Sequence, residues 1–468
     1  MKANLLNTIA GTVVVFTITA TLTTTAAVVA VAPSSTLNLS TTNGGSTARL
    51  TITNSGDQVW VIQSSSNLTS WTEVESWKIH NGSYHRSLTN GPAKPNLFYR
   101  AFYDDTRQNI SSATTNALLL PTTSFNYAAP VLPASFQVNP ILGQDNTPAN
   151  NPTTDLGATL GRVLFYDKRL STNQTVSCSS CHQQAHGFSD PRRFSVGYDG
   201  SVGTRNSMGL NNARWYQRRN FFWDERAATL EDQVLMPIQN PIEMGMTLEA
   251  LTSRLAAEPF YTNLFAITFG SPGIATNRIS RALAQFVRSI VSTASKYDTG
   301  ISNNFANFTA QEDLGRRIFL GQVRNLPNPA ATCAACHGTD NFVPGPAINN
   351  NGLELPIVDR GLGAITGLTT DDGKFKVPSL RNIELTAPYM HDGRFTNLEQ
   401  VVEFYNSGVV DNPNLSPPLR VPGPGGGGVL RLNLSDAQKA ALVAFLKTLT
   451  DTTLAGDAKF SDPFNYGD

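Results

Sequence analysis

The chain has no excess of either charge: 35 Lys and Arg stand against 35 Asp and Glu, for a formal net charge of zero. That balance gives no electrostatic footing for a nucleic-acid partner, although it leaves room for a local docking face toward a charged redox protein. Long apolar runs are missing once residue 32 is passed, so any membrane contact is left to the first residues. Cysteine is scarce. All four fall inside two copies of one pattern, Cys178-Ser179-Ser180-Cys181-His182 and Cys333-Ala334-Ala335-Cys336-His337.

C-x-x-C-H is the signature of covalent c-type haem attachment. Two thiols one turn apart can add to the two vinyl groups of one porphyrin, and the next residue's imidazole reaches the iron. A redox dithiol or half a zinc site would explain a single copy. Zinc would have to pair the copies across a long separation and would leave each following histidine without a role. The pair therefore predicts two covalently attached haem c groups, bound through Cys178, Cys181, Cys333 and Cys336, with His182 and His337 as axial ligands.

The opening Met1-Lys2-Ala3-Asn4, followed by an apolar run from Ile9 to Ala32, reads as a signal peptide over residues 1–32 ending in small residues. An uncleaved anchor is the alternative, and either form places the body outside the cytoplasm, in the periplasm or cell envelope. Residues 34–122 are rich in Ser and Thr, with alternating runs at 48–53 and 59–63 separated by Asn, Gly and Ser. This predicts a small all-β sandwich module, whose His80 and His85 read as surface residues. Residues 123–150, with repeated Pro and Asn, read as a linker.

Beyond residue 152 the pattern turns helical and an internal repeat emerges. Leu160-Gly161-Arg162-Val163-Leu164-Phe165 precedes the first haem motif, and Leu314-Gly315-Arg316-Arg317-Ile318-Phe319 precedes the second. The expected fold class is mainly α: two cytochrome c-like helical haem domains, at 152–300 and 301–465, preceded by the β-module. Capping boxes are expected at Thr309…Glu312, Thr396…Glu399 and Ser435…Gln438. Ile279, Leu283, Phe286, Val287 and Ile290 fall on one helical face, a packing stripe. Val421 to Gly428 reads as a flexible loop.

Residues 152–452 resemble the di-haem bacterial cytochrome c peroxidases and their MauG-type relatives. The resemblance rests on 164–171, both haem motifs, Thr204-Arg205-Asn206-Ser207, Phe222-Trp223-Asp224-Glu225-Arg226-Ala227, Asn240-Pro241-Ile242-Glu243-Met244-Gly245 and Ala387-Pro388-Tyr389-Met390-His391-Asp392-Gly393. It implies that the N-terminal haem cleaves hydrogen peroxide and the C-terminal haem relays electrons to it. Glu243 matches the family's distal carboxylate, Gln233 and Pro237 its pocket neighbours, and Trp223 the tryptophan placed between the haems. Asn206, Thr386 and Pro388 match an inter-haem calcium site.

Two positions depart from the classical peroxidase pattern. Tyr198 stands where many members carry a distal histidine, so the His182 haem is expected to be five-coordinate or water-ligated and reactive without prior reduction. His186, four residues past His182, is a poor substitute. Tyr405 stands where classical members supply a methionine, as in MauG-type proteins, and is the expected second axial ligand of the His337 haem; Met390, Met244 and Met246 are its rivals. An anionic oxygen donor lowers haem potential where methionine raises it.

The implied enzyme is a cytochrome c peroxidase-like oxidoreductase. The alternatives are a MauG-like oxidase of a protein or organic substrate and a non-enzymatic di-haem electron carrier. The expected partners are hydrogen peroxide and a small electron donor, a cytochrome c or cupredoxin. Nucleic acid is not among them, a membrane enters only if the N-terminal segment is uncleaved, and a homodimer is admissible.

Overall fold

The structure, a computed structural model, describes residues 124–466 apart from 325, 327, 329–331, 343–347 and 424–426. Of the preceding chain it describes Ser70, residues 112–121 and the backbone of seven strands. The chain divides into two compact units. One comprises Met1–Phe125, Pro259–Pro272 and Asn465–Asp468, the other Asn126–Glu258 and Gly273–Phe464.

The first unit carries β1 (Val13–Thr19), β2 (Ser35–Thr42), β3 (Thr47–Asn54), β4 (Gln58–Ser65), β5 (Thr72–Ile79), β6 (Gly82–Thr89) and β7 (Asn96–Tyr103). They form two antiparallel sheets, ordered β1-β7-β4-β5 and β2-β3-β6. The alternating runs at 48–53 and 59–63 lie in β3 and β4, as their period of two requires. Strand β1 comes from within the segment read as a signal peptide, so cleavage after Ala32 would leave β7 as a sheet edge. His85 lies in β6 opposite Thr51, whereas His80 lies outside the described residues. The helix Pro259–Phe269, expected within the first haem domain, belongs to this unit instead, where it buries Phe260, Tyr261, Leu264 and Phe265 and meets the helix Ser112–Ala117.

The second unit is helical and built on α1 (Asp155–Tyr166), α2 (Thr276–Ser289), α3 (Ala310–Phe319), α4 (Leu398–Glu403) and α5 (Asp436–Lys447). Two helix pairs organise it, α1 on α2 and α3 on α5. The repeat identified in the sequence supplies the crossing point of each pair. A Cβ on Gly161 would stand 2.0 Å from the Ala282 carbonyl oxygen, and one on Gly315 would stand 1.9 Å from that of Ala441. Only glycine permits backbones so close. The partner helices repeat as well, Ala282…Phe286 matching Ala441…Phe445, with each phenylalanine Cβ facing its glycine. The packing stripe Ile279, Leu283, Phe286 and Val287 is buried on α2, and Ile290 is buried just beyond its end.

The capping boxes at Thr309/Glu312 and Ser435/Gln438 are formed. Helix α4 starts one residue later than its expected box. Asn397 caps it by accepting from the Gln400 amide, and the Thr396 amide donates to Gln400 Oε1 at 2.8 Å. The amide-bearing Gln400 thus takes the role expected of Glu399.

Residues 126–150 are not a linker. Tyr127 is buried with its hydroxyl on the Lys459 carbonyl at 2.6 Å, and Phe136 and Ile141 form a core cluster with Trp215. The prolines and asparagines masked the apolar anchors spaced among them, and burial of those anchors ties the segment to the helical unit. No described helix is long and apolar enough to cross a membrane.

Candidate haem and peroxide site

The first C-x-x-C-H forms one helical turn, Cys178–Cys181, capped reciprocally by Ser177 and Ser180. The His182 amide closes the turn on the Cys178 carbonyl at 2.9 Å, which sets the imidazole beside both thiols. His182 Nδ1 lies 2.9 Å from the Phe188 carbonyl. A carbonyl can only accept, so Nδ1 carries the proton and Nε2 is left free as a metal donor. Phe188 reaches that position from a left-handed backbone, φ 58°, in a loop closed by the Gln183–Ser189 bridge. Burial pushes His182 below its usual basicity, toward the neutral form that binds iron.

The second motif forms a tighter turn, Cys333–Ala335, capped by Thr332, and the His337 amide donates to the Cys333 carbonyl at 2.8 Å. The imidazole is held differently. The Phe342 and Pro378 carbonyls lie beside its ring, yet Nδ1 makes no hydrogen bond to either. Burial pushes His337 down to about 4. The Cys178 and Cys333 thiols are both pushed up to about 12 by burial.

Both motifs open into one cavity of about 570 Å³. Its lining is mainly aliphatic and aromatic, with Cys178, Cys181 and His182 at one site and Cys333, Cys336 and His337 at the other. Paired thiols, a following imidazole with an uncommitted Nε2 and an apolar enclosure fit a covalently held porphyrin at each motif.

Glu243, Gln233 and Pro237 line the same cavity. Gln233 ends the short helix Leu230–Gln233 and Pro237 is the second residue of Met236–Gln239. Asn240 builds the turn that presents the carboxylate. Its carbonyl accepts from the amides of Glu243, Met244 and Gly245, its Oδ1 accepts from the Ile242 amide, and its Nδ2 donates to Glu243 Oε1 at 2.7 Å. Burial raises the Glu243 carboxyl above the ordinary glutamate value, opposed by Arg226 and by the Asn240 hydrogen bond.

Tyr198 does not line the cavity. Its amide donates to the Glu243 carbonyl at 2.9 Å, and its ring covers Gly245, where a Cβ would stand 2.4 Å from Tyr198 Cε1. The residue in place of a distal histidine thus braces the turn carrying Glu243. His186 is likewise absent from the cavity lining.

Trp223 lines the cavity and is fixed at two points: Nε1 donates to the Asn206 carbonyl at 2.8 Å, and the Trp223 carbonyl accepts from the Lys376 amide at 2.8 Å. Its ring lies edge-on to His391, which stacks on Phe375 at 3.8 Å. Asn206, Thr386 and Pro388 are brought to this cavity too. Asn206 Nδ2 donates to the Arg192 carbonyl at 3.0 Å, and no hydrogen bond to its Oδ1 is formed among the described residues. No group of three His, Cys, Asp or Glu among the described residues could hold a metal ion, so an ion here would depend on neutral oxygen donors.

Tyr405 lines the cavity from a π-helical turn, Phe404–Gly408, that continues α4. Burial pushes its phenol up to about 12. Asn351 Nδ2 lies 3.4 Å from the Tyr405 hydroxyl and 3.5 Å from Met390 Sδ. Of the rival methionines, Met390 alone accompanies Tyr405. Met244 follows Glu243 in the turn built by Asn240, and Met246 is off the lining.

Sequence reasoning missed Asn240, Asn351, Arg205, Arg226 and Lys376. Arg205 bridges Asp224 at 2.6 Å and Asp359 at 2.7 Å, and Arg226 also binds Asp224. The available signal was position: Arg226 and Asn240 lie inside family blocks, and Lys376 interrupts an otherwise apolar Phe375–Pro378 run.

A family model described as di-haem cytochrome c peroxidase matches residues 156–305. The methylamine utilization protein MauG of Methylophilus methylotrophus is 31% identical over 302 residues, 64% of this chain and 84% of that protein. The cytochrome c551 peroxidase of Nitrosomonas europaea is 33% identical over 334 residues, 69% of this chain and 86% of that protein. The crystal structure of a MauG-like protein associated with microbial copper homeostasis matches at a TM-score of 0.59 and 34% identity, covering 72% of this chain and 99% of that one.

Proposed function

The chain belongs to the di-haem cytochrome c peroxidase family that includes MauG, and from that premise we propose that hydrogen peroxide is reduced at the His182 site with electrons relayed through the His337 site. As a member it carries two haem c groups and is an oxidoreductase acting on peroxide. The observation that carries the division of labour is that Glu243 lines the cavity close enough for its charge to act on the Cys178 and Cys181 thiols, whereas it does not act on Cys333 or Cys336. When bound, the haems supply the iron that takes up peroxide and the electrons that reduce it.

Glu243 is the proton carrier of this reading. Cleavage of the O–O bond with release of the first water needs a proton moved from one peroxide oxygen to the other, and reduction to two waters then takes up two electrons from the donor and two protons from solvent. A carboxylate raised by burial can take and return the proton of the first step. Asn240 orients the carboxylate, while Gln233 and Pro237 shape the pocket around it. Tyr198 lies away from the cavity, so no side chain at that position must leave before peroxide enters. Trp223, pinned at both ends, couples the two sites.

Tyr405 is the proposed second axial ligand at the His337 site, supported by its place on the lining beside Asn351. The same residue favours a second reading, a MauG-like oxidase acting on a protein or organic substrate. Calcium at Asn206, Thr386 and Pro388, haem domains at 152–300 without Pro259–Pro272 and at 301–465, a β-sandwich accessory module at 34–122, export to the periplasm or cell envelope, and a cytochrome c or cupredoxin donor complete the proposal. Peroxide consumption driven by reduced cytochrome c tests the first reading. An oxidised state that persists after peroxide without any donor would transfer support to the second.

A further inference from the structure

Three of the cations lining the shared cavity already face carboxylates. Arg205 binds Asp224 and Asp359, Arg226 binds Asp224, and Arg381 binds Asp298. Lys376 does not. Among the described residues no carboxylate lies within ion-pair distance of its Nζ, which rests 4.2 Å from the centre of the Tyr216 ring. Glu225, the acid that influences it, is committed elsewhere: Oε1 to the Tyr216 hydroxyl and Arg218, Oε2 to Arg218. A cation–π contact offsets only part of the cost of taking an ammonium out of water. In the bare chain burial accordingly pushes Lys376 down to about 8, so the side chain is short of an anion.

The segment carrying Lys376 flanks the second attachment point. Phe375 exchanges backbone hydrogen bonds with Asn349, whose Nδ2 lies 3.4 Å from Cys336 Sγ. Pro378 lies beside the His337 ring, and the Lys376 amide is bonded to Trp223. Covalent attachment consumes the porphyrin vinyl groups and the imidazole occupies the iron, so the propionates are the anions the group brings with it. We propose that Lys376 is a positioning residue for the haem attached at Cys333 and Cys336, its ammonium binding one of that haem's propionate carboxylates next to Trp223. This rests on the two-haem reading of the chain. Loss of the cation leaves the propionate charge unbalanced, which stabilises ferric over ferrous iron and lowers the reduction potential.

The test uses holo-protein carrying K376Q or K376R, with haem counted by the pyridine haemochrome spectrum and each haem titrated spectroelectrochemically, the two distinguished by their spin-state bands. In K376Q the ferrous-to-ferric ratio of the His337 haem at a fixed potential should fall about tenfold, a shift of about 59 mV downward. The His182 haem should move less than about twofold, and K376R should leave the His337 haem within about threefold of wild type. An unmoved His337 haem in K376Q overturns the proposal, as does a shift confined to the His182 haem. If K376Q fails to assemble with two haems, K376R decides: normal loading supports the ionic role, and equal failure overturns it. A wild-type chain with fewer than two haems would instead overturn the two-haem reading itself.

Discussion

Gly161 and Gly315 hold equivalent helix crossings, but the histidines those crossings support are held differently. His182 gives its Nδ1 proton to the Phe188 carbonyl, which orients the ring and makes Nε2 a stronger donor. His337 has the Phe342 and Pro378 carbonyls beside its ring, with neither in hydrogen-bond geometry to Nδ1. The contrast continues across the cavity, where the first site has Glu243 with Tyr198 turned away and the second has Tyr405 and Met390 converging on Asn351. A duplicated scaffold has thus kept its packing while the side chains around the two C-x-x-C-H turns differ, in agreement with the proposed roles of a substrate-admitting first site and a closed second one.

The strongest way to break this comparison is at Glu243. The Glu243→Gln variant should lose about 10²–10³-fold in peroxide turnover, with both haems retained. Because burial raises the carboxyl, the wild-type rate should fall as pH drops through a value above the ordinary glutamate one, and the variant should lack that limb. Full turnover in the variant would leave the first site without its distinguishing chemistry.

At the second site, Tyr405→Phe should abolish the resting low-spin signal of the His337 haem, while Met390→Leu should leave it in place. The opposite pattern would make Met390 the ligand. The equivalence of the scaffolds is sharpened by Gly161→Ala and Gly315→Ala. Each places a methyl against a backbone carbonyl and should cost about 1–3 kcal/mol, read as comparable losses in chemical denaturation. A neutral result at either position would end the claim of matched crossings.

The smallest expected effect concerns stability. Glu243 holds its proton more tightly folded than unfolded, so its contribution to stability declines as pH rises from the ordinary glutamate range through the raised value. Glu243→Gln should therefore raise Tm slightly at neutral pH and leave it unchanged at low pH, where both states are protonated. Equal Tm differences at both pH values would contradict the raised carboxyl.

What could be read from the sequence follows the range of the interactions involved. The haem turns and the caps at Thr309 and Ser435 are local, set by residues three or four apart, and they form as expected. Helix α4 shows the limit of such reading, since Asn397 and Gln400 outcompete Thr396 and Glu399 by one residue. Phe136 and Ile141 meet Trp215 only in the folded chain, so a Pro- and Asn-rich stretch passed for a linker. Lys376 and Asn351 were invisible for the same reason, because an unmatched cation or a shared amide exists only relative to distant partners. Glu243, Gln233, Pro237 and Trp223 could be picked out only by family resemblance, and the structure brings all four to one cavity.

The asymmetry of the two sites is tested most directly by the EPR spectrum of the resting ferric protein. One high-spin signal from the His182 haem and one low-spin signal from the His337 haem, in equal amounts, is the predicted result. Two low-spin signals, unchanged by added peroxide, would show both irons closed and would contradict the division of roles.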